Sequence, residues 1–308
     1  MSETQLSGVV LRLQSGFYYV HTSQGLIACS LRGRMKQNRL NEDLVAVGDR
    51  VHILLSNSES GVIESIDPRR NSLVRLAPSA RGEYQQVILS NLDLLVCVFA
   101  CAQPAPHLRM LDRFLVIAEK QRIACMIVAN KVDLVGEEKA RLLFDHYPPL
   151  GYQVVYSSAT NGAGVDQLNG LIWNKTAAFT GPSGVGKTSL LNALQPGLGS
   201  KVRKISGLTS KGRHATVVRE LFALDENTYL ADLPGMREVG LWDIRPEELD
   251  AYFPEMKDLV QKCKFNNCTH REEPDCAVRK AAMEGKIHSD RYQSFLNMRA
   301  GIKEKDWE

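Results

Sequence analysis

Through residues 8–67, apolar and polar positions alternate in short runs separated by Gly, Ser and Asn turns. The pattern predicts strands at Gly8–Leu13, Gly16–His21, Gly25–Ser30, Arg50–Leu55 and Gly61–Ile66. Five strands in so short a stretch predict a small closed β-barrel, and the OB-fold, a common nucleic-acid platform, is the candidate. Alternation puts Phe17 and Tyr19 on one face of the second strand and Tyr18 on the other. At least one of these aromatics therefore belongs to the core and not to a stacking surface. The segment Asp67-Pro68-Arg69-Arg70-Asn71 reads as a hinge.

From Asp93 the rhythm changes. A buried strand at Leu94–Ala100 is followed by helical spacing over His107–Gln121 and a second buried strand at Ile123–Ala129. The alternation continues with a helix near Gly136–Asp145, a strand at Gln153–Ser157, a helix near Val165–Asn174 and a strand at Thr176–Phe179. This predicts a doubly wound α/β domain whose parallel strands gather ligand loops at their carboxyl ends. Beyond it the rhythm is lost: Pro246–Tyr252 reads as helical, a Cys- and His-rich loop follows, and His288–Lys303 reads as a basic terminal helix. The expected architecture is multidomain: a barrel at 1–70, an α/β domain at 71–245 and a mostly helical segment at 246–308.

A chain of 308 residues with 44% hydrophobic content has room for two to three domains of ~100–200 residues with real cores. Its longest apolar stretches, such as Leu94–Ala102, fall short of the ~20 residues of a membrane-spanning helix. Met1–Gln5 carries no signal or transit character. A cytoplasmic, monomeric protein without a membrane segment is expected. Seven cysteines, an odd number, argue against a disulfide framework and for metal binding or buried thiols. The net charge is only +3, but no acidic residue lies between Asp166 and Glu220, nor between Thr4 and Asn41, where Arg12, Arg32, Arg34, Lys36 and Arg39 occur. Two basic stretches fit a polyanion larger than a nucleotide, and either alone also fits a solvated loop.

The chemistry is carried by short motifs. Gly181, Pro182, Ser183, Gly184, Val185, Gly186, Lys187 and Thr188 match a phosphate loop between a strand and the helical run that begins at Ser189. Its glycines let backbone N–H groups face phosphates, Lys187 would reach the β- and γ-phosphates, and the Thr188 hydroxyl would ligate Mg²⁺. Asn130, Lys131, Val132 and Asp133 end a buried strand. Asp133 would accept from the ring N–H and exocyclic amine of guanine, a pattern adenine does not offer, while Asn130 and the Lys131 stem shape the pocket. Ser157, Ser158 and Ala159 end the next strand and would offer a backbone N–H to the guanine carbonyl.

Asp232-Leu233-Pro234-Gly235 follows a strand at Tyr229–Ala231. There Asp232 would hold Mg²⁺ through water and the Gly235 N–H would sense the γ-phosphate. Met236 stands where a water-orienting glutamine is found in Ras-like enzymes, so unaided hydrolysis is expected to be slow. Gly207–Thr216 occupies the place of a first switch loop, with Thr216 the candidate second Mg²⁺ contact and His214 a candidate for positioning water or touching RNA phosphate. A GTP-binding domain normally presents the phosphate loop first and the base-reading tetrad late. Here that order is rotated.

Cys263, Cys268, His270 and Cys276 place four soft or borderline ligands within fourteen residues, in a segment whose sequence offers little apolar core. Such a set closes a tetrahedral structural Zn²⁺ site with no open position for catalysis. Cys29, Cys97, Cys101 and Cys125 lie on or beside apolar strands and read as packing residues.

The barrel, the rotated motif order and the Cys-Cys-His-Cys segment together resemble the small ribosomal subunit biogenesis GTPases of the RsgA type, over nearly the whole chain. The resemblance implies a circularly permuted GTPase that uses GTP/GDP, Mg²⁺ and one structural Zn²⁺. It implies binding to the immature small (30S) ribosomal subunit late in assembly, GTP hydrolysis stimulated by that subunit, and departure afterwards. The OB-fold and zinc segment would hold ribosomal RNA, with other assembly factors as further partners. Carried over by position, the family's base-reading motif falls on Asn130 to Asp133, its phosphate loop on Gly181 to Ser189, its Asp-x-x-Gly on Asp232 to Gly235, and its zinc ligands on Cys263, Cys268, His270 and Cys276. Its switch motif, glycine-x-histidine-threonine-threonine, falls on Gly212-Arg213-His214-Ala215-Thr216, where Ala215 replaces the first threonine. Two other readings compete: a P-loop nucleotide kinase, because the loop also resembles that of guanylate kinases, and an RNA-binding assembly chaperone in which GTP only sets conformation.

Overall fold

The computed structural model describes residues 5–33, 43–77, 84–201, 220–233 and 244–301. Strands β1 (Gln5–Gln14), β2 (Phe17–Thr22), β3 (Gly25–Leu31), β4 (Arg50–Leu55) and β5 (Ser60–Ile66) close into a barrel in the order β1-β2-β3-β5-β4. All five lie where the alternation put them. Val10, Val20, Ile27, Val51, Ile53 and Ile63 point inward and fill the barrel. Tyr18 packs partly against them, whereas Phe17 is 49% exposed and Tyr19 lies 4.2 Å under the Arg12 guanidinium.

The expected hinge at 67–71 is pinned on both sides. The Arg69 guanidinium grips the fully buried Asp49 at 2.8 and 2.9 Å. The Arg70 N–H donates to Asn91 and the Asn71 amide to the Leu92 carbonyl. A buried carboxylate such as Asp49 needs a partner, and here the linker supplies it. Gly48, at φ +90°, packs so closely that a Cβ there would lie 2.2 Å from the Ser90 carbonyl oxygen. Leu11 and Val47 of the barrel segment belong to the core of the next domain.

That domain opens with a hairpin, β6 (Ser72–Ala77) and β7 (Tyr84–Ser90), which the sequence pattern did not mark. Next comes a six-stranded sheet of β8 (Leu94–Ala100), β9 (Cys125–Asn130), β10 (Gln153–Tyr156), β11 (Thr176–Thr180), β12 (Phe222–Ala223) and β13 (Tyr229–Asp232). Its order is β10-β9-β8-β11-β13-β12, and every pairing except β12–β13 is parallel. Helices α1 (Leu108–Lys120) and α2 (Glu137–Phe144) contribute to one core, and α3 (Val165–Ile172) and α4 (Lys187–Leu194) to the other. Both faces are covered, so all seven residues of β8 are buried. Leu95, Cys97 and Phe99 join one core and Leu94, Val96 and Val98 the other, the reason such strands read as continuous apolar runs.

The C-terminal segment has a 3₁₀ turn at Pro246–Tyr252 and helices α5 (Lys257–Val260), α6 (Ala277–Met283) and α7 (Ser289–Arg299). Contrary to the expectation of little core, Leu249, Phe253, Met256, Val278 and Phe295 form a buried cluster that also takes in Val116 of α1. Helix α7 ends at Arg299, short of the expected Lys303, which lies outside the described residues. Arg291 of α7 is fully buried and reaches Asp112 of α1 at 2.8 Å and Glu255 at 2.8 and 3.1 Å. Asp112 also accepts the Tyr147 hydroxyl at 2.9 Å, and the guanidinium lies 4.5 Å over the Phe253 ring. Among the described residues, no helix is long and apolar enough to cross a membrane.

The Arg291 network yields a stability test. Arg291→Ala strands two buried carboxylates, Asp112 and Glu255, and is expected to cost about 3–5 kcal/mol. Urea unfolding should show this as a lowered midpoint, whereas Arg271→Ala on the exposed surface should stay within about 0.5 kcal/mol of the parent.

Candidate functional site

The parallel register brings the motifs to one edge of the sheet. Ala100 pairs with Asn130, Ala129 with Tyr156, Thr180 with Cys97, and Phe179 with Asp232, so the loops after five strands leave side by side. The chain runs outward from β8 to β9 and β10 on one side, and from β11 to β13 and β12 on the other. The crevice between β8 and β11 is the reversal point at which ligands bind in such folds.

The phosphate loop bridges β11 and α4, and its backbone needs its glycines. Gly181, Gly184 and Gly186 have φ of +144°, +79° and +93°. A Cβ on Gly181 would lie 2.0 Å from the Val98 carbonyl oxygen, and one on Gly186 would lie 2.5 Å from the Asn130 amide nitrogen. Pro182 and Val185 are buried, Ser183, Gly184 and Ser189 are exposed, and Thr188 is half-buried. Lys187 curls over the loop, its Nζ donating to the carbonyls of Gly181 and Pro182 at 2.6 and 2.9 Å.

Behind the loop, Asp232 is nearly buried, and among the described residues its Oδ1 has no hydrogen-bond partner; neither has the hydroxyl of the fully buried Thr180. Burial pushes the Asp232 carboxyl up and the Lys187 ammonium down, and each charge opposes the shift of the other. A glycine cradle, a lysine over it and a buried carboxylate oxygen in want of a donor fit a nucleoside triphosphate with its divalent cation.

Asn130 joins this loop to the base-reading tetrad. Its amide, 1% exposed, donates to the Val185 carbonyl at 2.8 Å, and its Oδ1 accepts from Ser157 Oγ at 3.2 Å and more weakly from the Ala159 N–H at 3.4 Å. Lys131 is left-handed, φ 63°, an uncommon conformation for a residue with a side chain. Its ammonium donates to the Gln103 carbonyl. Val132 is buried and Asp133 exposed, in a turn beside the buried Cys101, whose thiol is raised to about 11 by burial and by Asp133. The Ser158 N–H is engaged with the Ala163 carbonyl and its hydroxyl accepts from Thr160 and Asn161. Ser158 thus shapes the turn, and the Ala159 N–H is held only by the long bond to Asn130.

Thr180 and Gln103 escaped the sequence reading because a lone hydroxyl ending a strand and a carbonyl donated by a loop have no motif. His214, Thr216, Gly235 and Met236 lie outside the described residues.

The second site is built from a loop and the start of a helix. The ligand atoms of Cys263, Cys268, His270 and Cys276 lie within 4.8 Å of one another. Three of their separations are 3.4, 3.6 and 3.9 Å. A tetrahedron with ~2.3 Å metal–sulfur bonds has edges of about 3.8 Å, so the donor set fits a zinc-sized cation. His270 is fully buried and turns Nδ1 toward the thiols, while Nε2 meets Asp250 Oδ2 at 3.1 Å. That carboxylate fixes ring orientation, and no local spacing in the sequence announces it. Cys276 caps α6, accepting the Arg279 N–H at 3.3 Å. Burial, with neighbouring thiols, pushes the Cys268 thiol up to about 12, so a cation that binds here must displace the thiol protons.

If these four residues hold Zn²⁺, the purified protein should release one equivalent on thiol modification, read with a chromogenic chelator. Cys276→Ser should release none, and Asp250→Ala should weaken zinc affinity by about 10- to 100-fold.

The chain matches known proteins along its length. A family model described as RsgA GTPase covers residues 66–242, and one described as the RsgA N-terminal domain covers residues 7–63. The small ribosomal subunit biogenesis GTPase RsgA of Gemmatimonas aurantiaca is 42% identical over 300 residues, 96% of this chain and 97% of that relative. The protein of the same name from Moorella thermoacetica is 39% identical over 297 residues, 96% of this chain and 97% of that relative. The crystal structure of YjeQ from Thermotoga maritima superposes with a TM-score of 0.78 at 33% identity, covering 97% of this chain and 99% of that one. YloQ, described as a circularly permuted GTPase, gives 0.74 at 29% identity, with 98% and 96% covered. With its barrel, permuted nucleotide domain and metal-ligand cluster in the same chain, this protein belongs to the RsgA family of GTPases.

Proposed function

We propose that this GTPase acts in the maturation of the small ribosomal subunit, the role named for its relatives. The observation that supports the nucleotide part is the Asn130 amide, which ties the tetrad to the phosphate loop at 2.8 Å, as a guanine reader working beside a triphosphate cradle requires. Asp133 accepts from the guanine ring N–H and amine, Asn130 and Lys131 wall the base, and Ala159 offers its N–H to the guanine carbonyl. The loop from Gly181 to Ser189 cradles the phosphates and Lys187 turns from its own loop carbonyls to the β- and γ-oxygens; Thr188 would ligate Mg²⁺ and Asp232 would hold it through water, and the ion would neutralise phosphate charge. In the switch loop Thr216 is the candidate second Mg²⁺ contact and His214 the candidate for positioning water or touching RNA phosphate, and the Gly235 N–H would sense the γ-phosphate.

Met236 offers no hydrogen bond to water, so hydrolysis awaits a partner that orders the switch. That partner is the small subunit, held through its RNA by the barrel (1–70) and the zinc-stabilised segment (246–308), which flank the GTPase domain (71–245). The protein works as a cytoplasmic monomer and leaves after hydrolysis.

A turnover assay tests this reading: GTP hydrolysis should rise on addition of purified small subunits and not of large ones, and an unchanged rate with small subunits would sink the regulated part. Asp133→Asn should lower GTP affinity by about 10- to 100-fold, the effect of mispairing a polar group at about 1–3 kcal/mol. The same variant should prefer xanthosine triphosphate; retained preference for GTP would remove Asp133 from the base pocket.

A further inference from the structure

A cavity of about 550 Å³ lies between the barrel and the central sheet. It opens at the amino ends of β8, β11 and β13, where Asp93, Thr176 and Tyr229 line it, and so lies at the opposite edge of the sheet from the phosphate loop. Its size falls within the ~300–1,000 Å³ of ligand pockets.

The groups in its walls divide in two. Some join the domains or brace the walls: the Asn91 amide donates to the Gly48 carbonyl at 3.0 Å, and Asp93 takes the Thr176 N–H at 2.9 Å and Arg70 at 2.9 Å. His52 sits between Ser7 and Asp67, 3.0 Å from each. The others have side chains with no hydrogen-bond or ion-pair partner among the described residues: Arg50, Glu226, Asn174, Asn227 and Ser23. His21 and Tyr229 meet edge to face in the wall, ring centroids 5.8 Å apart, with the imidazole Nδ1 3.1 Å from the phenol oxygen. The Arg50 charge reaches Tyr229, opposing the burial that raises its phenol.

The unengaged set narrows the ligand. One free guanidinium suits one phosphate group. The Glu226 carboxylate would repel a bare inorganic anion but accepts hydrogen bonds from vicinal ribose hydroxyls, as acidic residues do in dinucleotide folds. Two amides offer the paired donor and acceptor that a base edge requires, and the half-buried His21 ring, backed by the buried Tyr229, is the aromatic surface within reach of an unstacked base. A polyamine would satisfy Glu226 and meet repulsion from Arg50.

We propose that this cleft binds one ribonucleotide unit, with its phosphate on Arg50, its ribose on Glu226 and its base edge on Asn174 and Asn227. The unit is either a free nucleoside monophosphate or an unstacked residue of single-stranded RNA, and the second source rests on the RNA-binding role proposed above.

The test uses the full chain with its guanine site saturated with GDP, titrated with fluorescent AMP, UMP and a five-nucleotide single-stranded oligoribonucleotide. A second binding event is expected for a monophosphate, the oligonucleotide or both. Arg50→Ala and Glu226→Ala should each weaken it by about tenfold or more, the effect of losing one charge-assisted hydrogen bond, with GDP affinity unchanged. A 2′-deoxy ligand should lose the dependence on Glu226. Monophosphate binding identifies the free nucleotide as a source, and binding of the oligonucleotide alone identifies the RNA strand.

No second event with any ligand overturns the proposal. So does an oligonucleotide that binds parent and both variants equally, which leaves RNA binding standing elsewhere on the surface. Variant-sensitive monophosphate binding without oligonucleotide binding keeps the cleft and removes its RNA source.

Discussion

One buried amide holds the nucleotide site together. Asn130 ends β9, yet its side chain reaches the Val185 carbonyl in one direction and receives Ser157 and Ala159 in the other. Three loops from three strands are thus fixed to one planar group of about two ångström width, in a place where an unpaired polar atom costs about 1–3 kcal/mol. The same closeness explains Gly186, since any side chain there would collide with the Asn130 nitrogen. Base recognition and phosphate binding are therefore one packing problem. A kinase-like loop standing alone would not need the tetrad beside it, which is why the contact weighs against the nucleotide-kinase reading.

Most of the fold was legible because each region kept one period. β8 is apolar at every position and the barrel strands alternate, and both were readable to within a few residues. The β6–β7 hairpin was missed because its sequences, SLVRLA and YQQVILS, mix polar and apolar residues and pack only in part on the core. The hinge at 67–71 was misread for a different reason. Arg69 and Arg70 look like solvated linker charges in sequence, and only the fold reveals that the buried Asp49 and the partly buried Asp93 stand opposite them. In the sites, residues in spaced motifs were readable, whereas Asp250, Gln103 and Thr180 act across the fold with no spacing to betray them.

Rotating the motif order changes which parts of the chain are covalent neighbours. The strands that end at Asn130 and Tyr156 come before the phosphate loop, on the barrel side of the chain, and the chain after Asp232 leads toward the segment with the Cys/His cluster. Contacts across the fold add a second set of ties. Glu220 and Leu221, just before β12, bond to β1 of the barrel through the Arg12 side chain and the Leu11 carbonyl. The barrel is thus fastened to the edge of the sheet as well as to the linker, and the central domain is held from both flanks.

Helix α1 is the tie that reaches furthest. The segment before it presents the Gln103 carbonyl to Lys131, and Pro104 stands 3.6 Å from where a Cβ of Gly184 would be. Four residues into the helix, Asp112 meets Arg291 of the C-terminal segment, both with side chains 1% exposed. A buried ion pair tolerates little displacement, because separation in a medium of low dielectric exposes each charge to an unmet desolvation cost. α1 is 13 residues long and packed against the sheet on one face and the C-terminal cluster on another, so it moves as a unit or not at all. The permuted chain therefore joins the central domain to the C-terminal segment twice: covalently through residues 234–245, and through α1 by the buried Asp112–Arg291 pair.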